Sequence, residues 1–323
     1  MTLKLKILNE SWGIFVYFYK VMLSLNSIQN KRIVIAPLNW GMGHVSRCIA
    51  LIEKLKYKNK LVIACNSEQR NILEQYHPNI EFEMLEGYPF NFDKNKRFIG
   101  NIVRQFGSLS KHIKKDNLAC KRICEKWRID LVISDHRYGF FNKDTTSIFL
   151  THQVKLPLPW YLNVANKLHK NYISNFSTIW IIDTPKIKLA GKLSQKVNYI
   201  PSYYIGLLSR FEFSISSKKD NKVFLLVSGP SAYWDQLCDK FNGISFSGII
   251  GPLESEYLAI KLSIPFYDSA DWKQTDKLIQ SCKTIYGYAG YSTIMDIHFL
   301  KCNSNLKACQ GQFEQEYLEA LHY

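Results

Sequence analysis

Five short stretches of this chain combine residue types that could do chemistry. The first is Gly41-Met42-Gly43-His44. Paired glycines let the backbone turn tightly and approach a ligand, and a helix starting there offers free N–H groups and a partial positive charge. A neutral His44 on its first turn could take a proton from a hydroxyl. The second is Ser134-Asp135-His136-Arg137, where Asp135 could orient a histidine from a neighbouring strand and stabilise its imidazolium. The third, Thr151-His152-Gln153, holds a lone histidine after a strand, which is more often a structural group. The fourth, "YGYAGYSTIMDI", places Gly290 and Tyr291 before Ser292 and Thr293, with Asp296 one turn later. That order suits phosphate oxygens on amides and hydroxyls, and ribose hydroxyls on the carboxylate. The fifth, "QGQFEQEYLEAL", gathers Gln310, Gln312, Glu314 and Gln315 where a helix opens, a set that suits several sugar hydroxyls at once.

Each stretch also has a plain structural reading. The first and fourth can be ordinary strand–helix turns, the fourth with a serine cap. Asp135 can bond its own loop backbone. The fifth can be a capping sequence on a solvated helix.

The elements around these stretches alternate. "RIVIAPL" reads as a strand, and Val45, Cys48, Ile49 and Ile52 then fall on one helical face. "KLVIACN" is a strand, and "SEQRNILEQY" a helix opened by a serine cap. "IDLVISD", "SIFLTHQ" and "TIWIID" continue the series, as do "KVFLLVSG", "SFSGII", "IPFYDS" and "KTIYGYAG". Buried strands alternating with helices predict an α/β protein with two parallel, Rossmann-like sheets in tandem. The divisions fall at residues 1–30 (an extension), 31–195 (first unit), 196–221 (linker) and 222–323 (second unit). Ligands of such sheets sit beyond the strand C-termini, and the cleft between two units is the default site.

Composition narrows the partners. The 323 residues include 42 Lys and Arg against 27 Asp and Glu, a net charge of +15 that favours acidic partners. No nucleic-acid module is present. The eight cysteines show no zinc spacing and no secreted disulfide framework, so they read as reduced thiols of a cytoplasmic protein, with no metal site expected. "GIFVYFYKVMLSL" is apolar but broken by Lys20 and short for a membrane span. It reads as a poor signal sequence, an interfacial anchor, or sequence ahead of a true start at Met22, the last being favoured.

"GMGH" followed by "AGYSTIMD" and "GQFEQEYLEA", in that order across two α/β halves, resembles inverting GT-B glycosyltransferases of family 28. Among these, the chain is similar to the bacterial N-acetylglucosaminyltransferase of peptidoglycan-precursor synthesis. The resemblance covers the chain from about Lys31 onward. It implies a GT-B architecture with an interdomain cleft. Gly41 and Gly43 would form the acceptor loop, with His44 the base. Gly290, Tyr291, Ser292 and Thr293 would bind the donor diphosphate, and Asp296 the ribose. Gln312, Glu314 and Gln315 would face the donor sugar, and Ser228 and Gly229 the first loop of the donor unit. The implied reaction moves a hexosyl or N-acetylhexosaminyl group from a UDP-sugar to a hydroxyl acceptor with inversion. No metal or other cofactor is implied, because helix dipole and hydroxyls take the cation's place. The acceptor would be lipid-linked or phosphorylated, and the enzyme peripheral at the inner face of the cell membrane.

The sequence departs from the family in two places. "KCNSNLKACQGQ" is polar where a buried apolar strand belongs, and the second half reads as truncated after Tyr323. Two other readings accompany the first: a nucleotide-sugar epimerase of the same architecture, and a non-catalytic nucleotide-binding relative. A nicotinamide-dependent dehydrogenase fits poorly, since Ser46 occupies the third glycine position of the dinucleotide fingerprint.

Overall fold

A computed structural model describes residues 25–88, 106–214 and 218–323. The apolar N-terminal stretch and the expected start at Met22 lie outside them, as do residues 215–217 of the expected linker.

The apolar runs become strands, those in the middle of the first sheet buried on both faces. In the first sheet these are β1 (Arg32–Pro37), β2 (Lys60–Cys65), β3 (Glu81–Met84), β4 (Leu131–Asp135), β5 (Thr146–Thr151), β6 (Thr178–Ile181) and β7 (Ser202–Tyr204). They lie in the order β3-β2-β1-β4-β5-β6-β7, every pair parallel. The second sheet holds β8 (Val223–Leu226), β9 (Gly248–Gly251), β10 (Phe266–Asp268), β11 (Thr284–Tyr288) and β12 (Asn303–Lys307). Its order is β10-β9-β8-β11-β12, again parallel. Parallel pairing requires crossovers, and α-helices supply them except between β4 and β5 and between β6 and β7. The helices are α1 (Gly43–Leu55), α2 (Ser67–Tyr76), α3 (Phe106–Trp127) and α4 (Asn163–Ile173), then α5 (Trp234–Lys240), α6 (Glu256–Leu262), α7 (Trp272–Ser281), α8 (Tyr291–Leu300) and α9 (Phe313–His322).

Three local expectations are refined. The cap of α2 is Asn66 rather than Ser67: its Oδ1 accepts from the Gln69 N–H at 2.9 Å, and the Gln69 side chain returns a bond to the Asn66 N–H. The polar stretch near residue 303 is an edge strand, β12, in which only Leu306 is fully buried. An edge strand has one neighbour, so its polarity is what the position requires. Residues 196–221 also do more than connect, for they contribute β7 to the first sheet and bury Ser209 and Phe211.

The two sheets are joined by apolar packing. Leu51, Ile52 and Trp180 belong to one buried cluster with Trp272, Tyr291, Ile294, Met295 and Leu318. Polar ties reinforce it: Gln75 on α2 bonds both the carbonyl of Ala270 and the N–H of Trp272. All eight cysteines are free.

Candidate active site

The strand registers place the chemistry. Pro37 of β1 lies opposite Asp135 of β4, and Asp135 opposite Leu150 of β5. The loop from β1 into α1, the carboxylate of Asp135 and the turn carrying His152 therefore meet at one edge of the sheet. Gly41 there has φ +90°, a left-handed conformation that favours glycine.

His44 Nδ1 lies 2.9 Å from Asp135 Oδ2 and 2.5 Å from Arg47 Nη2. Arg47 has donors only, so Nδ1 either donates to the carboxylate or accepts from the guanidinium. With the proton on Nδ1 and given to the carboxylate, the lone pair is left on Nε2; with Nδ1 accepting from Arg47, Nε2 carries the proton. Burial, then the adjacent Arg47, holds His44 below the ordinary imidazole range, against the pull of Asp135. Burial alone would raise Asp135, but Arg47 and His44 outweigh it and keep the carboxyl below its usual range.

Arg47 was not among the sequence candidates, although it lies three residues after His44 and so on the same helical face. It is 2% exposed. Its Nε bonds Asp135 Oδ2 at 2.8 Å, its Nη2 bonds Asp135 Oδ1, and its Nη1 lies 3.2 Å from His152 Nδ1. His136, one residue after Asp135, turns its Nε2 to Thr151 Oγ1 and packs edge-on to His44.

The second sheet brings its residues to the same place. Ser292 Oγ donates to the carbonyl of Gly43 at 3.0 Å, so the N-termini of α1 and α8 touch. A Cβ on Gly43 would lie 2.8 Å from that hydroxyl oxygen, and the close approach depends on glycine there. The first helical bonds are Ser46 N–H to Met42 and Ile294 N–H to Gly290. The amides of residues 43–45 and 291–293 precede them and, like any first turn, have no carbonyl one turn back. Gly290 itself has φ −78°, and a Cβ there would meet nothing closer than 3.8 Å, so neither strain nor crowding demands glycine at this turn.

Three donor-side candidates have partners within the protein. Asp296 Oδ1 accepts from Ser209 at 2.6 Å, and Oδ2 accepts from Arg210 and Ser46. Burial raises its pKa, with Arg210 a partial offset. It ties α8 to residue 210, which also holds Asp276 of α7 at 2.8 Å and Ser46 of α1 at 2.8 Å. Gln315 accepts from the Cys309 N–H at 2.8 Å and so shapes its own loop. Glu314 points across to the first sheet, 2.8 Å from His152 Nε2, and His152 and its neighbours hold it below the usual carboxylate range despite burial.

Between the sheets runs a cleft of about 1470 Å³. Its walls include Gly41, Gly43, His44, Ser228, Gly229, Gly290, Tyr291, Ser292, Thr293, Asp296, Gln312, Glu314 and Gln315. Asp135 stands behind His44, fully buried. Ser228 is exposed in the cleft, and Gly229 has φ +77°. Among the described residues, no group of three or more His, Cys, Asp or Glu is arranged to hold a metal ion.

Solved structures share this fold. The glycosyltransferase of kitacinnamycin superposes with a TM-score of 0.60 at 12% identity, covering 91% of this chain and 85% of that one. The spinosyn rhamnosyltransferase SpnG complexed with thymidine diphosphate gives 0.57 at 12%, covering 90% and 84%. Arabidopsis thaliana UGT89C1 complexed with UDP gives 0.55 at 10%, covering 91% and 84%. The chain therefore has the GT-B fold of glycosyltransferases. No protein-family profile and no curated protein matches it.

Proposed function

We propose that this protein transfers a sugar from a nucleoside-diphosphate sugar to a hydroxyl acceptor with inversion, in the manner of the family 28 enzymes its motifs resemble. The observation that carries the reading is the convergence of the α1 and α8 N-termini on one corner of the cleft, with His44 on the first of those turns. Two sets of free amides and two dipoles suit a diphosphate there, and Thr293 adds a hydroxyl. Thymidine diphosphate and UDP in the spinosyn and Arabidopsis enzymes support a nucleoside-diphosphate donor.

In this reading His44 Nε2 takes the acceptor's hydroxyl proton. The oxygen attacks the anomeric carbon from the face opposite the diphosphate. The bond from that carbon to the phosphate oxygen breaks, and the nucleoside diphosphate leaves with the electron pair. Asp135 steadies the imidazolium that forms. Amides at the two helix starts take up the charge on the leaving group, a role a cation fills in other transferases.

The acceptor side of the cleft is apolar, with Leu156, Leu158, Leu162 and Leu168 in its wall. In the same wall Tyr161 and Val164 are 63% and 70% exposed, and Trp160, packed edge-on to Tyr161, is 81% exposed. The single acid between residues 145 and 211 is Asp183, which is buried, whereas Lys155, Lys186, Lys188 and Lys192 are exposed. A bond from the Val154 N–H to Leu193 C=O, 2.8 Å, brings the two lysine-bearing loops together. Exposed aromatics among lysines suit an anionic lipid surface, and so a lipid-linked acceptor.

Calorimetry with UDP and with thymidine diphosphate tests the donor reading. Binding of at least one, competed by its sugar nucleotide, is expected. Binding of neither, by folded protein, sinks it.

A further inference from the structure

Two buried groups in the cleft wall have no task in the reaction just described. Arg47 and His152 stand between the base and the donor side, and the bonds that link them to each other, to Asp135 and to Glu314 each have one allowed direction. Arg47 only donates, so His152 Nδ1 accepts from Nη1 at 3.2 Å. The ring proton of His152 then sits on Nε2 and is donated to Glu314 Oε1 at 2.8 Å. On its other side Arg47 grips both oxygens of Asp135 and brings Nη2 to 2.5 Å from His44 Nδ1; with His44 as base, Asp135 receives that nitrogen's proton. The His152 ring is held flat against Tyr291, with centroids 4.2 Å apart and planes 5° from parallel. Tyr291 in turn donates to the carbonyl of Ile182. The series runs unbroken from α1 and β4 of one sheet to the first turns of α8 and α9 of the other.

A guanidinium this deeply buried is costly unless its donors are all used, and an apolar side chain of similar volume would serve packing as well. What the charge supplies is orientation. It fixes the carboxylate behind His44 and the tautomer of His152 together.

We propose that Arg47 and His152 are positioning residues that couple the base, His44, to the donor-side carboxylate of Glu314. The coupling rests on the reading of His44 as base. The charged and titratable groups facing His44 are Arg47 on its own helix, Asp135 at the end of β4, His136 just after it, and His152 after β5. Glu314 of α9 joins them through His152. Without Arg47, Asp135 faces His44 alone and favours the imidazolium.

Ring-nitrogen NMR titration of His44 in wild type, Arg47→Met and Arg47→Lys tests the near half. Arg47→Met should raise the His44 pKa by about one unit or more, and Arg47→Lys by less. The acid limb of kcat/KM should move to higher pH with it. A His44 titration left in place in a folded variant overturns the proposal, as does a rate loss uniform in pH. If Arg47→Met does not fold, Arg47→Lys, which keeps the buried charge, decides.

The far half is tested by His152→Phe, which preserves the stack on Tyr291 but neither hydrogen bond. It should lower kcat about tenfold or more with the UDP Kd within about threefold. His152→Gln, whose amide can still donate to Glu314, should recover most of that loss. Wild-type turnover by both variants overturns the coupling. Failure of the wild type to bind UDP or thymidine diphosphate counts against sugar transfer instead, and the NMR titration still decides the role of Arg47.

Discussion

His44 can serve as a base only while neutral, and its surroundings keep it so. Burial and Arg47 push its pKa down from the usual value of about 6.5, so the lone pair on Nε2 survives into mildly acidic solution. The sign follows directly: the rate falls when the base becomes protonated, and a lowered pKa moves that fall to lower pH. The acid limb of kcat/KM is expected below about pH 6.5. His44→Ala should remove the limb and cost about 10²–10⁴ in kcat. A limb at or above pH 7, or a His44→Ala variant of undiminished rate, rules out this assignment. Residue type and spacing made His44 and Asp135 readable as candidates. They concealed Arg210, whose partners Ser46, Asp276 and Asp296 are 164, 66 and 86 positions away. The partners of Asp296 were hidden for the same reason. Its place in the motif was visible, but the arginine that claims it lies in an aperiodic stretch.

At the scale of elements, the two hydroxyls at the start of α8 are not equivalent. Ser292 spends its proton on Gly43, whereas Thr293 faces the cleft beside free first-turn amides. Thr293→Val should weaken UDP binding by about 1.5–3 kcal/mol, roughly tenfold or more in Kd, and Ser292→Ala should do far less. Calorimetry on the pair checks this, and a reversed order would place the diphosphate elsewhere. Central strands such as β1 and β4 were legible because burial on both faces enforces unbroken apolar runs. β12 was not, since an edge strand anchors by one residue. Leu306→Ala should therefore cost about 2–5 kcal/mol in chemical denaturation, while Asn305→Ser changes stability little. Equal effects would mean that β12 is not held as described. β7 escaped notice because three residues are too few to show a period.

For the molecule as a whole, the charge pattern becomes meaningful once folded. In sequence the lysines look merely scattered, but the parallel sheet brings the loops after β5 and β6 to one edge, with Trp160 exposed on the first of them. Flotation with vesicles is the check. Vesicles rich in anionic lipid should retain the protein, zwitterionic ones should not, and Trp160→Ala with Tyr161→Ala should release it. Equal retention on both vesicle types, or none on either, removes the membrane from the account.

The apolar cluster shared by the two sheets has its own consequence. Prising the halves fully apart would put Trp272, Ile294, Met295 and Leu318 into water, and the hydrophobic effect opposes that throughout the catalytic cycle. In the proposed reaction, substrates would then come and go sideways, through the open rim. The joint between the halves works as a weld with a slot cut beside it rather than as a hinge.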